Sequence, residues 1–445
     1  MQSVNVTMIP KLRLALVLLA LPFLCFSQEN SPYSRYGIGN LTPQGNISNR
    51  GMGGISAGFS DVTTVNFLNP ASYGNLIYTT LEIAAQADSK ALKTSSDKFT
   101  SNNAYVPYLQ LGLPLLNGNK KAMKSSTGWG IAFGLRQVSR ISYKIEADKS
   151  LTNIDSLATV YEGNGGVYEA SIGTGLRLKY FSIGFNTGYL FGDKDYSTRL
   201  IFINDTVTYH SSNSATNTNF GGLFFNAGFQ YIIPFKKDHP ENGLVRIGAY
   251  GTLQKKYNAT QDILRETFSY NATTGNPDRL DSVYENNSVK GTVQLPATYG
   301  AGFVVEKKHV VWGIDFETTN WNNYIFYNQR DSVKKNWTVK AGFQYLPADV
   351  DSRKYWDFVK YRAGLFFGPD YINLGTNIPQ FGISLGAGLP LKLNRSFYET
   401  QYSVMNVGIE YTNRGNRSNA IRESIISISV GFSLSDIWFR RVKYE

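Results

Sequence analysis

The chain has 445 residues, 14% of them aromatic, with 42 glycines and a formal net charge of +11. So much Tyr, Phe, Gly and Asn, with no helical periodicity after the first thirty residues, excludes a helix-rich soluble enzyme and points to many strands joined by turns. The single cysteine, Cys25, excludes a disulfide framework. The positive excess, about +9 without Lys11 and Arg13, is spread over loops and strand ends. No nucleic-acid module accompanies it, so anionic lipid head groups are the better partner.

In chain order, residues 1–27 read as a signal peptide. Lys11 and Arg13 form its basic start, Leu14 to Leu24 its apolar stretch, and Cys25 and Ser27 flank a cut before Gln28. The apolar run is short for a membrane span, and bulky Pro22, Phe23 and Leu24 do not suit a lipidation site. Residues 28–75 follow as a compact unit, and 76–445 as a wall of strands. Within the first unit, Arg50–Ser72 holds Gly51, Gly53, Gly54 and the turn Asn69-Pro70-Ala71. The glycines lack the strand, helix and lysine of a phosphate loop, so close backbone packing is their reading. Asn before Pro favours an extended or turn conformation.

No later stretch is apolar over eighteen residues, so a membrane chain of this kind must be a closed β-barrel. Alternation supports that class. Phe181, Ile183, Phe185, Tyr189 and Phe191 alternate with Ser182, Gly184, Asn186, Gly188 and Gly192. Phe381 to Leu389 and Ile426 to Leu434 repeat the pattern, with Gly and Ser on the other face. Each run is about ten residues, the length of a tilted membrane strand, and aromatics gather at the run ends. A soluble sandwich also alternates, but it would not keep one face free of charge with aromatic ends.

Fourteen such segments begin near Leu76, Tyr105, Trp129, Val167, Phe181, Gly222, Leu244, Thr298, Val310, Trp337, Tyr361, Phe381, Tyr402 and Glu423. The fold class is therefore all-β: a transmembrane antiparallel barrel of about 14 strands with an N-terminal plug in its lumen. Lys179-Tyr180 and Lys307-Lys308 make short turns. The connections after strands one, three, five and seven are long and polar, the longest from Asn258 to Gln294. Short periplasmic turns and long outer loops would put both termini in the periplasm. The connection from Leu346 to Lys360 is long enough for a small extra element.

The pattern Gly51-Met52-Gly53-Gly54 followed by Asn69-Pro70-Ala71, the phrase Leu295–Phe303 and the opening Ser31–Gly39 together resemble the FadL/TodX (OMPP1) family of outer-membrane transporters, in its Bacteroidetes form. The resemblance implies a fourteen-stranded barrel in the bacterial outer membrane with an N-terminal hatch. It implies carriage of hydrophobic compounds such as long-chain fatty acids, and it makes Gly51, Gly53, Gly54, Asn69, Pro70 and Ala71 hatch residues. A related branch, similar to the PorV-type components of a secretion system, binds protein partners, and fold alone does not choose between the two uses.

Other candidates weigh less. His210, His239 and His309 have no triad or metal-ligand neighbours at useful spacing, so neither catalysis nor a cofactor is expected. Asp315 and Glu317 on one strand, and Glu169 and Arg177 on another, face inward. They read as lumen ion pairs that brace the plug, or as a gate for a ligand carboxylate. Asp155-Ser156-Leu157, Asp205-Thr206-Val207, Asp281-Ser282-Val283 and Asp331-Ser332-Val333 resemble a bacterial O-glycosylation sequence, although chance in Asp- and Ser-rich loops accounts for them as well. Two functions follow, uptake of hydrophobic compounds as the leading one and a scaffold barrel as the alternative. Transport predicts an apolar lumen cavity beside the hatch. A scaffold barrel within an outer-membrane protein complex predicts a braced, polar lumen.

Overall fold

The computed structural model describes residues 30–116, 127–151, 155–203, 209–235, 243–270, 273–274, 277–347, 354–391 and 403–436. The expected signal peptide, His239 and the Asp205-Thr206-Val207 triplet lie outside them.

Fourteen antiparallel strands form one closed wall. They are β1 (Thr79–Lys93), β2 (Lys98–Tyr105 with Tyr108–Pro114), β3 (Thr127–Leu151), β4 (Asp155–Leu178), β5 (Phe181–Ile203), β6 (Ser211–Pro234) and β7 (Leu244–Thr252 with Lys255–Tyr270). Then come β8 (Pro277–Leu295 with Thr298–Lys307), β9 (Val310–Thr319), β10 (Asn336–Tyr345), β11 (Lys360–Pro369), β12 (Pro379–Pro390), β13 (Val404–Arg414) and β14 (Arg422–Asp436). Neighbours in sequence pair in space, and β14 closes on β1 from Arg422↔Lys93 to Asp436↔Thr79. Closure leaves no open edge for lipid to face. The outward row of β5 (Phe181, Ile183, Phe185, Tyr189, Phe191) is exposed, while its inward neighbours Ser182, Asn186 and Leu190 are buried.

Strand lengths depart from the sequence expectation. The long polar connections after strands three, five and seven are mostly strand: β3, β4, β5 and β6 run 25, 24, 23 and 24 residues. The stretch from Asn258 to Gln294 is a hairpin of β7 on β8, with three register shifts. Beyond the hydrocarbon, the outward face no longer has to be apolar. Alternation therefore stops while the backbone ladder continues. β9 to β13 run only 10 to 12 residues. One half of the barrel thus stands as a palisade above the other, at the end opposite the short turns Lys179-Tyr180 and Lys308-His309. The connection from Leu346 to Lys360 carries a 3-10 turn, Tyr355–Phe358.

The wall bends at two places. β2 is interrupted at Val106-Pro107, and its described ladder with β3 begins at Tyr108↔Arg136. Above that point β3 pairs with Asn40–Leu41, through Asn40↔Arg140 and Leu41↔Ser139. The second bend interrupts β7 at Leu253-Gln254 and β8 at Pro296-Ala297. There Ile325–Phe326, from the connection after β9, pairs with Val293–Gln294. Each bend carries a two-residue patch.

Candidate functional site: the filled lumen

Residues 30–78 lie against the inward face of the wall and run from the palisade end to the turn end. Ser31 N donates to Ser142 O (3.0 Å), and Thr42 N to Val138 O (3.0 Å). A single-turn helix, Ile47–Arg50, follows. Asn46 caps it, its side chain accepting from Asn49 N at 2.8 Å. Residues 51–59 cross to β9–β12, and a 3-10 turn, Pro70–Asn75, leads into β1.

Four buried asparagines hold this path. Asn46 Nδ2 donates to Val65 O (3.0 Å), Asn49 Nδ2 to Ile55 O (2.8 Å), Asn66 Nδ2 to Ser56 O (2.7 Å) and Asn69 Nδ2 to Ala57 O (2.7 Å). An irregular backbone has no ladder of its own, so side-chain amides satisfy its carbonyls. Wall amides do the same from outside: Asn186 Nδ2 reaches Phe67 O (3.0 Å), Asn226 Nδ2 reaches Leu68 O (3.2 Å) and Gln230 Nε2 reaches Ala57 O (3.0 Å).

The sequence-predicted residues fall into two seats. Gly53 has φ +68°, a conformation that favours glycine, and a Cβ there would lie 2.6 Å from Ala341 O and Leu365 O. Gly51 and Gly54 flank it against Arg362, Gly386 and Lys340. The second seat holds Asn69, Pro70 and Ala71. Asn69 Oδ1 accepts from Ala71 N (3.1 Å) and its Nδ2 also reaches Phe229 O (3.1 Å). The wall answers with its own glycines. A Cβ on Gly184 would lie 2.2 Å from Pro70 C, one on Gly228 2.0 Å from Asn69 Oδ1, and one on Gly364 1.9 Å from Gly53 N. Those wall glycines were readable only as small inward residues. Their role as seats needs the partner segment in place.

Charge braces the same contact. Asp315 Oδ2 accepts from Ser56 N (2.5 Å) and Ala57 N (2.7 Å), so it grips backbone and not a cation. Glu317 pairs with Lys340 (2.9 Å), Glu169 with Arg136 (2.5 Å) and Arg246 with Glu306 (2.5 Å). Arg177 Nη1 donates to Asn75 Oδ1 (3.2 Å). From the segment, Arg50 reaches Glu410 (3.6 Å) and Asp61 reaches Lys360 (2.7 Å). Burial works against the Asp61 charge, but the Lys360 ammonium and the Thr63 donors outweigh it and hold the carboxyl well below the usual range.

The lumen holds an aromatic core and a cavity. At the palisade end an aromatic core joins Tyr33 and Ile38 to Trp321, Tyr324, Tyr371 and Ile372. The Trp321 and Tyr371 rings lie 4.5 Å apart. Below it is a cavity of about 250 Å³ lined by Arg50, Asp88, Arg140, Lys340, Glu410 and Arg414 among others. Arg140 spans the first bend, 3.3 Å from Asp88 and 3.8 Å over the Tyr105 ring. Charged side chains of both signs line the cavity beside apolar ones such as Leu41, Phe366 and Ile425. Among the described residues no group of three or more His, Cys, Asp or Glu is placed to hold a metal. His309 sits at its turn with Nδ1 2.8 Å from Leu346 O.

The profile of one protein family, described as BamG, matches residues 8–445. No curated protein matches the chain. Solved structures do. The CymD monoaromatic hydrocarbon channel is 13% identical, with 90% of this chain and 98% of that chain covered, at a TM-score of 0.52. The Pseudomonas putida toluene transporter TodX is 13% identical, covering 90% of this chain and 100% of that one, at 0.53. A Pseudomonas aeruginosa FadL homologue is 10% identical, covering 90% and 98%, at 0.52. At these identities the likeness speaks for the fold alone: a FadL-like barrel.

Proposed function

The chain belongs to the BamG family, and we propose that it is a closed outer-membrane barrel serving as a binding and scaffold subunit of a membrane protein complex. The filled lumen carries this reading. Residues 30–78 are seated on wall glycines, gripped by Asp315, and flanked by ion pairs around a cavity that charged side chains line. Moving that segment would break many buried hydrogen bonds together, each costly to leave unmade. In this reading residues 28–75 are a locked hatch, the turn end faces the periplasm, and outer-membrane lipids ring the apolar band.

Purification from native membranes with the signal-processed full chain tests it. The expected result is a stoichiometric protein partner, no lumen lipid, and no conductance in planar bilayers. Fatty acid or hydrocarbon bound in the lumen of a partner-free barrel would overturn it.

A second reading is uptake of hydrophobic compounds such as long-chain fatty acids. The fold it shares with proteins named as hydrocarbon channels and toluene transporters favours this. Gly51, Gly53, Gly54, Asn69, Pro70 and Ala71 would then be the hatch that shifts. A disulfide tying the segment to the wall would abolish uptake under this reading and leave a scaffold unaffected.

A further inference from the structure

Beside the palisade, the short half of the barrel ends in a ledge made from three connections. Val333 bridges to Ile372, Lys334 N donates to Tyr371 O (2.7 Å), and Asn373 N to Ser332 O (2.9 Å). Asn419 Nδ2 joins the third connection through Thr376 Oγ1 (2.9 Å). The ledge rests on the N-terminal segment: Val333, Tyr371 and Ile372 share a core with Tyr33 and Ile38, and Tyr33 OH donates to Ile421 O (2.6 Å). It therefore lies over the lumen, away from the lipid-facing ring.

Charge on the ledge is sorted by sign. Its carboxylates point down. Asp331 accepts from Gly37 N (2.7 Å) and Ser332 N (2.7 Å), and Asp370 pairs with Arg414. Its cations point up. Arg330, Lys335 and Arg417 are exposed and Lys334 is half-buried, and among the described residues none of the four forms an ion pair. Lys334 is held toward Asn377 Oδ1 (3.0 Å). Exposed Leu374 stands among them. The rim continues the pattern, because Arg422 faces Lys93 in register and Lys93 faces Lys98. Like charges directly opposite on a sheet are destabilising, so this row has a cost that an acidic partner would relieve.

We propose that this ledge docks the acidic face of a folded partner protein, backed by the palisade and centred on Arg330, Lys335, Arg417 and Leu374. Cations left unpaired around one apolar residue suit complementary charge around a contact core. Lipid phosphates ring the outside of the wall and meet the rim first. A second copy of the same basic ledge would be repelled. The proposal rests on the scaffold reading and names the chemistry of its partner.

The test is zero-length carbodiimide cross-linking, which joins lysine amines to carboxylates, on the tagged full chain in native outer membranes. Mass spectrometry should find Lys334 or Lys335 joined to Asp or Glu of the co-purifying protein. The triple variant Arg330→Glu, Lys335→Glu, Arg417→Glu should lose that protein roughly tenfold or more. The palisade control Lys290→Glu should retain it. Heat-modifiable migration checks that each variant is folded, and the Gln triple variant repeats the test without repulsion. A partner that co-purifies without ledge cross-links, and equally with the triple variant, overturns the ledge and leaves the scaffold reading standing. If no protein co-purifies with the wild-type chain, both fall. Loss of lipopolysaccharide alone in the triple variant overturns the ledge in favour of a lipid site.

Discussion

The two bends in the wall meet the same difficulty with different means. At the second, Ile325–Phe326 comes from the connection between neighbouring strands, and Asn323 O accepts from Gln294 Nε2 at 2.7 Å beside it. At the first, Asn40–Leu41 comes from the far end of the chain and from a segment held only by the lumen. The second patch is local to its own strands. The first is sound only while the lumen segment on both sides of it stays seated, through contacts such as Ser139 Oγ to Ile38 O and Thr42 N to Val138 O. Wall integrity at the first bend is thus coupled to the filling of the barrel through backbone pairing, whereas at the second the filling is met only beside the patch, where Tyr324 OH donates to Gly37 O at 3.0 Å.

The strongest way to break that comparison is Gly364→Val. Its Cβ would lie 1.9 Å from Gly53 N, where only backbone can give way. Overpacking of this kind costs about 1–3 kcal/mol or more. Amide exchange should rise at 138–144 on β3, far from the substitution, with no change at 292–294. Equal changes at both bends would show that the coupling is absent. Asp315→Ala comes next, because it leaves Ser56 N and Ala57 N without their acceptor. A loss of about 1–3 kcal/mol should appear as faster exchange at 55–58 and a lower unfolding temperature. Ile325→Pro removes a ladder donor at the second patch, at about 0.5–1.5 kcal/mol. Its effect should stay within 292–295 and 323–327. Any response at Arg140 would contradict the local reading.

Acid gives the smallest effect and sharpens the picture at the foot of the segment. The Asp61 carboxyl is held below its usual range, so its contribution is fully present above about pH 4. It is lost as pH falls through the depressed folded value. Protection at 60–64, relative to the intrinsic exchange rate at each pH, should be flat from neutral pH down to about 5 and fall only in stronger acid. Asp61→Asn should remove that fall.

The barrel class was legible because hydrocarbon demands a strict outward pattern, and Phe181 to Phe191 or Ile426 to Leu434 show it without tertiary knowledge. The palisade was not. The stretch from Asn258 to Gln294 is polar on both faces, so nothing in its side chains separates strand from loop. Gly53 and Asn69-Pro70-Ala71 stood out as unusual residues in an unpatterned stretch. Their seats at Gly184, Gly228 and Gly364 looked like ordinary small lumen residues, because a steric seat is a property of two segments. Asp315 was legible as an inward charge. That it holds two backbone N–H groups, with no arginine, depends on where residues 56 and 57 come to rest. The basic residues read as scattered along the chain, since Arg330, Lys335 and Arg417 meet only when three separate connections fold onto one ledge.

The seam between β1 and β14 carries a consequence for assembly. The segment enclosed by the wall is continuous with β1, and β14 is the last strand of the chain. While that seam is open, residues 30–78 can be laid against the wall from the side. Once Arg422–Asp436 has zipped onto Thr79–Lys93, the only remaining entry is along the axis. Order of events therefore matters: filling first and zipping last lets the segment in from the side, whereas the reverse order leaves it only the axial route.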